Sequence, residues 1–152
     1  MLFRSERYAK KIVYTGKIDE YFDYQFGDLE YRGLSFVHEV KETDNYQGVA
    51  MMNYPSLDVP WTRIVEHKHF TGVKTDSTII TKEYPVSCDR NSIPFYPIND
   101  EKNNEIYEKY KIKAESVSNV IFGGRLTEYR YYDMHQVIGS AMAKYRKEKD
   151  YK

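Results

Sequence analysis

Residues 33–40 read GLSFVHEV, a short segment in which apolar side chains fall two or four residues apart. Leu34, Phe36 and Val40 would lie on one face of an extended chain, because successive side chains of a strand point to opposite faces. The intervening positions include Glu39, which suits a solvated face. This pattern predicts a β-strand with one polar face.

Three further runs of similar character follow along the chain. They lie at residues 48–54, 62–70 and 78–84, and clusters of Asn, Gly, Pro and Asp separate them. Four such runs at close spacing are typical of an antiparallel meander. We therefore predict a mostly antiparallel sheet of about four to six strands over residues 33–85.

Shorter strands are predicted near both ends of the chain. Residues 10–15 (KKIVYT) form a β-branched run that ends at Gly16, which indicates a buried strand and a turn. Residues 119–122 predict another strand, which Gly123 and Gly124 end.

Two helices are predicted in the second half of the chain. Asp100 can cap the first and Asp133 the second, because a side-chain oxygen there accepts a backbone N–H of the first turn. Apolar residues recur at three- and four-residue spacing in both helices: Ile106, Tyr107, Tyr110, Ala114 and Val117 in the first, and Met134, Val137, Ile138, Ala141, Met142 and Tyr145 in the second.

Together these elements predict an α+β fold in a single domain, residues 1–152. A mostly antiparallel sheet occupies residues 33–85, and a strand, a glycine loop and a helix occupy residues 119–150.

The composition excludes several classes of protein. Lys plus Arg and Asp plus Glu are 23 each, so the chain lacks the positive charge that attracts nucleic acid. Cys88 is the only cysteine, so no internal disulfide is possible. No apolar run reaches the roughly 18 residues of a membrane span, and we expect a cytoplasmic protein. Hydrophobic residues make up 41% of the chain, but 16 of them are Tyr. Because the Tyr hydroxyl requires a hydrogen-bond partner, few purely apolar side chains are left for a core.

The glycine loop before the last helix is one candidate binding site. A helix N-terminus presents unpaired amides, which suit a phosphate or the edge of a flavin; Asp133 as an ordinary helix cap explains the same residues. The segment RLTEYRYY (residues 125–132) adds two arginines and three tyrosines. Guanidinium and phenol groups bind diphosphates, although an Arg and Tyr surface that stacks on itself is the alternative.

For the other candidate site residues, the sequence alone favours a structural role. His67 and His69 would face the same side of a predicted strand, as a metal site requires, but no third ligand accompanies them, so no metal is predicted. A catalytic role for Cys88 is not predicted because no histidine adjoins it. From the residues alone, we interpret Arg32 and Arg63 as surface residues that form ion pairs.

Seven strings, in order along the chain, closely resemble the C-terminal part of UDP-galactopyranose mutase. They are IVYTGKIDEYFDYQFG (residues 12–27), LEYRGLSF (29–36), NYQGVAMMNY (45–54), TRIVEHKHF (62–70), TKEYP (81–85), PFYPINDEKN (94–103) and FGGRLTEYRYYDMHQVI (122–138). The family usually has two tyrosines in the string where this chain has Phe95 and Tyr96.

The resemblance implies an FAD-dependent isomerase that interconverts UDP-galactopyranose and UDP-galactofuranose. In that family the reduced flavin N5 attacks the anomeric carbon and expels UDP, and the flavin–sugar adduct allows the ring to open and reclose. The product is the furanose precursor of surface polysaccharides.

The resemblance also assigns residues. Arg63 and Arg125 would be catalytic; Arg32, Arg63, Tyr96 and Tyr131 would bind the substrate. The cofactor would be bound by Thr15, Gly16, Gly124, Arg125, Asp133 and Met134. The strands at residues 12–15 and 119–122 should meet, because both belong to the flavin-binding layer of the family.

The family's chain is longer, and its N-terminal half carries the GxGxxG dinucleotide fingerprint, which this sequence lacks. We therefore expect activity only with such a half, and no retention of FAD by this chain alone. The alternative is a non-catalytic, truncated binding or interaction domain. Expected partners are UDP-galactose and UDP-galactofuranose in the complete enzyme, and a second copy in a homodimer or an N-terminal half.

Overall fold

The computed structural model describes residues 9–150. The chain divides into two compact units, the first formed by Met1–Tyr31 with Tyr96–Lys152 and the second by Arg32–Phe95. The organisation as a single domain remains a prediction.

In chain order the elements are β1 (Ile12–Tyr14), α1 (Ile18–Tyr21), β2 (Tyr31–Lys41), β3 (Met51–Asn53), β4 (Arg63–Glu66), α2 (Lys68–Thr71), β5 (Thr78–Ser87), β6 (Tyr96–Pro97), α3 (Glu101–Glu115), β7 (Val120–Phe122) and α4 (Met134–Asp150).

A five-stranded sheet in the order β3-β4-β5-β2-β6 confirms the α+β class and the mostly antiparallel sheet. The predicted meander holds only for β3, β4 and β5, because β2 pairs with β5 and not with β3. Strands β2 and β5 pair antiparallel from Arg32 opposite Ser87 to Lys41 opposite Thr78. Strand β4 pairs antiparallel with both β5 and β3. The buried side of this sheet includes Ile64 and Ile80. Because Ile80 lies opposite Glu39, this is the side that the sequence predicts to be polar, whereas Phe36 and Val40, on the side predicted to be apolar, are 42% and 65% exposed. The prediction of which face is polar is therefore wrong.

The predicted strand at residues 48–54 is shorter in the structure, where β3 covers Met51–Asn53. Its first half is a turn because Gly48 has φ +77° and donates its N–H to the Asn45 side chain at 2.7 Å. The backbone N–H of Gln47 is also bound by a side chain, the carboxylate of Glu66. These bonds take the segment out of the extended conformation.

The prediction that residues 62–70 form one strand is wrong in its second half. Strand β4 ends at Glu66, and His67 is the N-cap of the short helix α2. The helix ends at Gly72, which has the left-handed conformation that glycine adopts without strain. His67 and His69 therefore do not lie on a common strand face.

In the first unit, β1 and β7 form a two-stranded parallel sheet, which confirms that these distant segments meet. The register places Ile12 opposite Val120 and Tyr14 opposite Phe122. An aromatic cluster packs here, because the ring of Tyr21 lies 5.0 Å from that of Tyr14 and 4.8 Å from that of Phe122.

Both predicted helices of the second half are present as α3 and α4. The carboxylate of Asp100 accepts the backbone N–H of Asn103 at 2.8 Å, which is the predicted cap of α3. Tyr110 of α3 is fully buried, and its hydroxyl donates to the carbonyl oxygen of Gly27 at 2.7 Å. No element is predicted for residues 18–26, and the structure forms the short helix α1 there.

Across residues 9–150, no helix combines the length and the apolar character that crossing a membrane requires.

Candidate functional site

Tyr96, Tyr131 and Arg125 come together in the first unit. The rings of Tyr96 and Tyr131 lie 5.6 Å apart between centroids and are tilted by 32°. The guanidinium carbon of Arg125 lies 6.0 Å from the centroid of the Tyr96 ring, a cation–π distance. We call these three residues the tyrosine–arginine cluster. It presents two phenols and a guanidinium within one small region, which are groups that bind phosphate oxygens.

The segment between β7 and α4 is held by two buried residues that the sequence reading missed. The hydroxyl of Tyr129 lies 2.5 Å from the carbonyl oxygen of Glu30 and 2.9 Å from that of Ile98, and it accepts the Ile98 N–H at 3.2 Å. Burial raises the pKa of this phenol, so the hydroxyl stays protonated. The positive φ of Tyr129, 46°, marks a sharp turn of the backbone.

Thr127 is the second of these residues and is almost fully buried. Its hydroxyl lies 2.8 Å from the carbonyl oxygen of Gly16 and 3.2 Å from that of Tyr14. The segment that carries Arg125 and Tyr131 is therefore tied to the end of β1. Only the string RLTEYRYY pointed to this region, and no feature of it distinguished Thr127 or Tyr129 from their neighbours.

Two positions beside this segment, 124 and 16, are occupied by glycine for different physical reasons. Gly124 has φ +92°, and a Cβ added there would lie 3.6 Å from the Cβ of Thr15, so a side chain would fill the space beside Thr15. At Gly16, an added Cβ would lie 2.5 Å from the Tyr14 hydroxyl. Glycine is favoured at position 124 by its positive φ, and at position 16 by the packing of the neighbouring Tyr14 side chain.

Helix α4 begins next to the tyrosine–arginine cluster in sequence. The backbone N–H of Asp133 donates to Oε1 of Gln136 at 2.9 Å, which is half of a capping box. Between residues 9 and 150, no donor to the exposed carboxylate of Asp133 is present. Met134 is exposed. The N–H of Gln136 in turn donates to the carbonyl oxygen of Asp133 at 3.0 Å. The N–H groups of Met134 and His135 lie between them, at the helix end where backbone donors have no intrahelical acceptor.

In the second unit, the register places Arg32 and Arg63 on one face of the sheet. Arg32 is opposite Ser87 and Arg63 is opposite Glu83. Because side chains of directly paired residues share a face and alternate residues of β5 do too, both arginines project from the same side. Phe36 also lies on this face, opposite Glu83, with its ring 5.6 Å from that of Phe95.

Arg63 is held by two neighbours. Its Nε donates to Oδ1 of Asn53 at 2.9 Å, and its Nη1 lies 3.6 Å from Oε2 of Glu83. The Asn53 bond uses the inner edge of the guanidinium, so the other N–H groups can point away from the strand towards an anion. Arg32 is exposed on the same face.

A buried carboxylate organises the other end of β4. Glu66 is fully buried, and its oxygens accept the backbone N–H groups of Tyr46 at 3.0 Å and Gln47 at 2.9 Å. His69 lies 3.1 Å from the same carboxylate. Burial alone would raise the pKa of Glu66, but the hydrogen bonds from Tyr46 and Gln47 and the contact with His69 outweigh it, and the pKa is lowered.

His67 and His69 have different partners. Nε2 of His67 and Nδ1 of His38 lie 2.6 and 2.7 Å from the hydroxyl oxygen of Thr81, whereas His69 contacts Glu66. In the part of the chain that the structure describes, no three His, Cys, Asp or Glu side chains are arranged to hold a metal ion. The histidines thus serve the packing around β4 and β5.

The structure therefore places the expected site residues in two sets. Tyr96, Tyr131 and Arg125 meet in the first unit, which also contains Gly124 beside Thr15. Gly16, Asp133 and Met134 belong to the same unit. Arg32 and Arg63 share a sheet face in the second unit.

Comparison with known proteins identifies the family of this chain. A family model described as UDP-galactopyranose mutase matches residues 3–131. The chain is 42% identical over 142 residues to dTDP-fucopyranose mutase of Escherichia coli, which covers 93% of this chain and 37% of that protein. It is 44% identical over 138 residues to a probable UDP-galactopyranose mutase of Klebsiella pneumoniae, 90% of this chain and 35% of that protein. UDP-galactopyranose mutase of Mycoplasma pneumoniae is 36% identical over 150 residues, 95% of this chain and 37% of that protein. The chain thus spans little more than a third of the length of these relatives.

Proposed function

The chain belongs to the UDP-galactopyranose mutase family, and from this premise we propose that it forms part of an FAD-dependent isomerase that interconverts UDP-galactopyranose and UDP-galactofuranose. The activity belongs to the chain completed by an N-terminal FAD-binding half, because this chain spans little more than a third of its relatives. The observation that carries the proposal is the family match over residues 3–131.

The diphosphate of the substrate is bound by four side chains in this proposal. Arg63 and Arg32 supply charge from one face of the sheet, and Tyr96 and Tyr131 supply hydroxyl donors from the tyrosine–arginine cluster. The Asn53 bond that fixes Nε of Arg63 supports this role, because a guanidinium held on one edge loses less freedom when it binds an anion. Paired N–H groups then meet phosphate oxygens in fork geometry.

Arg63 is also assigned a catalytic role. Negative charge grows on the diphosphate as the bond to the anomeric carbon breaks, and a preorganised guanidinium stabilises that charge more strongly in the transition state than in the ground state. Arg125 is assigned a position beside the sugar and the cofactor. Its contact with the ring of Tyr96 supports this, because the two side chains then act on neighbouring parts of one ligand.

The cofactor-binding residues in this proposal are Thr15, Gly16, Gly124, Arg125, Asp133 and Met134. The lack of a side chain at Gly124, beside Thr15, supports this assignment, because it lets a ligand approach the backbone closely. The N–H groups of Met134 and His135 at the start of α4 fit a negatively charged or carbonyl edge. When bound, reduced FAD would supply a nucleophilic ring nitrogen to the sugar, and the chain's own residues orient the sugar and the diphosphate.

A second candidate keeps the reaction and changes the substrate. The 42% identity to dTDP-fucopyranose mutase of Escherichia coli favours a dTDP-linked 6-deoxy sugar as strongly as the other matches favour UDP-galactose. Both candidates share pyranose–furanose interconversion of a nucleotide sugar. A non-catalytic binding domain is less well supported, because each of the three named relatives is a mutase.

The test joins this chain to the region of the Klebsiella pneumoniae relative that lies outside the matched segment. The chimera is supplied with FAD and a reductant, and turnover of UDP-galactofuranose and dTDP-fucofuranose is measured by separation of the two sugar nucleotides. We expect conversion of the UDP sugar at a higher kcat/KM. Faster conversion of the dTDP sugar would select the second candidate, and conversion of neither by a folded, flavin-loaded chimera would contradict both.

A further inference from the structure

Tyr129 connects two segments of the first unit through its hydroxyl. The oxygen accepts the N–H of Ile98 at 3.2 Å, and it lies 2.9 Å from the carbonyl oxygen of Ile98 and 2.5 Å from that of Glu30. The residue is only 3% exposed, so these bonds form away from bulk solvent, where a hydrogen bond is electrostatically stronger.

The backbone around Ile98 keeps its own pairing without this hydroxyl. The N–H of Ile98 also donates to the carbonyl oxygen of Glu30 at 3.0 Å. The ring of Tyr129 lies 5.3 Å from that of Tyr31 and 5.8 Å from that of Tyr107, and a phenylalanine would keep both contacts. The hydroxyl therefore adds one thing, a tie between Ile98 and the segment that carries Tyr129.

That segment is a closed turn. The N–H of Glu128 donates to the carbonyl oxygen of Gly124 at 2.9 Å, and the N–H of Arg130 donates to that of Arg125 at 3.0 Å. Tyr129, with φ 46°, has a backbone conformation that a tyrosine rarely adopts, so its surroundings must hold it there. The position of the turn thus depends on the bonds that Tyr129 makes.

All three members of the tyrosine–arginine cluster lie close to this tie in the chain. Tyr96 precedes Ile98 by two residues. Tyr131 follows Tyr129 by two, and the carbonyl oxygen of Arg125 accepts the N–H of the residue after Tyr129. The hydroxyl therefore joins the backbone that presents Tyr96 to the backbone that presents the other two members.

We propose that Tyr129 is a positioning residue for the binding of the nucleotide sugar. Its hydroxyl fixes the spacing of the Tyr96 and Tyr131 rings, whose centroids are 5.6 Å apart, so that both phenols reach one diphosphate. Two donors that are held in place before binding lose less freedom when the ligand arrives. The inference rests on the proposed function, which assigns the diphosphate to these two phenols, and Tyr129 acts only through them.

The test compares two variants that remove the same atom from stacked tyrosines. Tyr129→Phe removes the tie, whereas Tyr107→Phe removes a hydroxyl that makes no hydrogen bond to another residue within the described range 9–150. In the chimeric enzyme, KM for UDP-galactofuranose should rise at least about tenfold for Tyr129→Phe, with kcat changed less than about threefold. Tyr107→Phe should change KM less than about twofold.

Coupling between variants separates positioning from a general structural role. In a chimera that already carries Tyr96→Phe and Tyr131→Phe, no phenol remains to be positioned, so adding Tyr129→Phe should change KM less than about twofold. A merely structural role would raise KM by the same factor in both backgrounds. The affinity for UDP, measured by calorimetry in the same variants, should follow the same pattern as KM.

Three results would overturn the inference: an equal rise of KM in both backgrounds, an unchanged KM for Tyr129→Phe alone, or loss of the folded circular dichroism spectrum by Tyr129→Phe, which would mean that the hydroxyl serves the whole fold. A chimera that binds UDP with the expected coupling but lacks turnover would contradict the proposed function and leave the positioning role intact. Turnover without the coupling would contradict the positioning role and leave the function intact.

Discussion

The backbone N–H of Ile12 donates a 3.0 Å hydrogen bond to the carbonyl oxygen of Asn119. This bond, with that from the N–H of Gly123 to the carbonyl oxygen of Tyr14, joins the start of the described chain to the strand that leads into α4. The two glycine-containing turns that follow these strands are thereby brought side by side, which is how Thr15 and Gly124 become neighbours.

Thr127 is expected to stabilise this junction. Thr127→Val keeps the shape of the side chain but removes the hydroxyl that serves the carbonyl oxygens of Tyr14 and Gly16. Because the site is buried, we expect a loss of about 1–2 kcal/mol in the free energy of unfolding, measured by urea denaturation.

Thr127→Ser is the matched control, since it keeps the donor and should recover most of that loss. If the valine and serine variants were equally stable, the hydroxyl would not be what ties this segment to β1.

The buried carboxylate of Glu66 is expected to make stability depend on pH. Its folded-state pKa is lowered, so its contribution is fully present above the unfolded value of about 4.3 and is lost as pH falls through the folded pKa. Glu66→Gln should cost about 1–3 kcal/mol at neutral pH, because one N–H of the Tyr46–Gln47 turn loses its acceptor. The difference from the wild type should shrink as the medium becomes acidic.

Denaturant unfolding at neutral and acidic pH measures this effect, with Glu42→Gln as an exposed control. A Glu66→Gln deficit that stays constant over the whole range, or that grows in acid, would mean that the charge of Glu66 does not stabilise the loop.

The chain alone should not retain FAD. A flavin dinucleotide is normally held by its adenosine and pyrophosphate at a glycine-rich fingerprint turn, and the residues that we propose for the cofactor would contact only its flavin end. The remaining contacts cannot offset the entropy lost on binding. The purified chain should be colourless, and stoichiometric flavin absorbance after gel filtration would contradict this expectation.

Several elements of the fold could be predicted because their cause is local. Asp100 caps α3 through its own side chain, and the strand β2 follows from the alternation of its residues, although that alternation predicted the wrong face to be buried. The pairing of β1 with β7 was different, since no local feature joins segments so far apart, and only the family resemblance predicted it.

The errors have long-range causes. The segment before Met51 looked extended, but Glu66, from a later strand, binds the N–H groups of Tyr46 and Gln47 and holds a turn there. His67 leaves the strand direction to reach the hydroxyl of Thr81 on β5. Tyr129 could not be identified as an anchor, because its acceptors on Glu30 and Ile98 become neighbours only after folding.

Asn53 is expected to position Arg63. In the chimeric enzyme, Asn53→Ala should raise KM for UDP-galactofuranose several-fold, because the guanidinium loses the acceptor that fixes Nε. Asn53→Asp keeps an acceptor oxygen and should restore most of the affinity. If the alanine and aspartate variants had the same KM, the hydrogen bond would not contribute to substrate binding.

Arg63→Ala in the chimeric enzyme tests the central claim most directly. We predict that turnover of UDP-galactofuranose with reduced flavin falls about a hundred- to thousandfold, which corresponds to about 2.7–4 kcal/mol of transition-state stabilisation. Arg63→Lys should recover only part of this, because lysine keeps the charge but not the two-pronged geometry, and His67→Ala should change the rate less than about tenfold. Full turnover by Arg63→Ala, or an inactive but folded His67→Ala, would contradict the assignment of the diphosphate to Arg63.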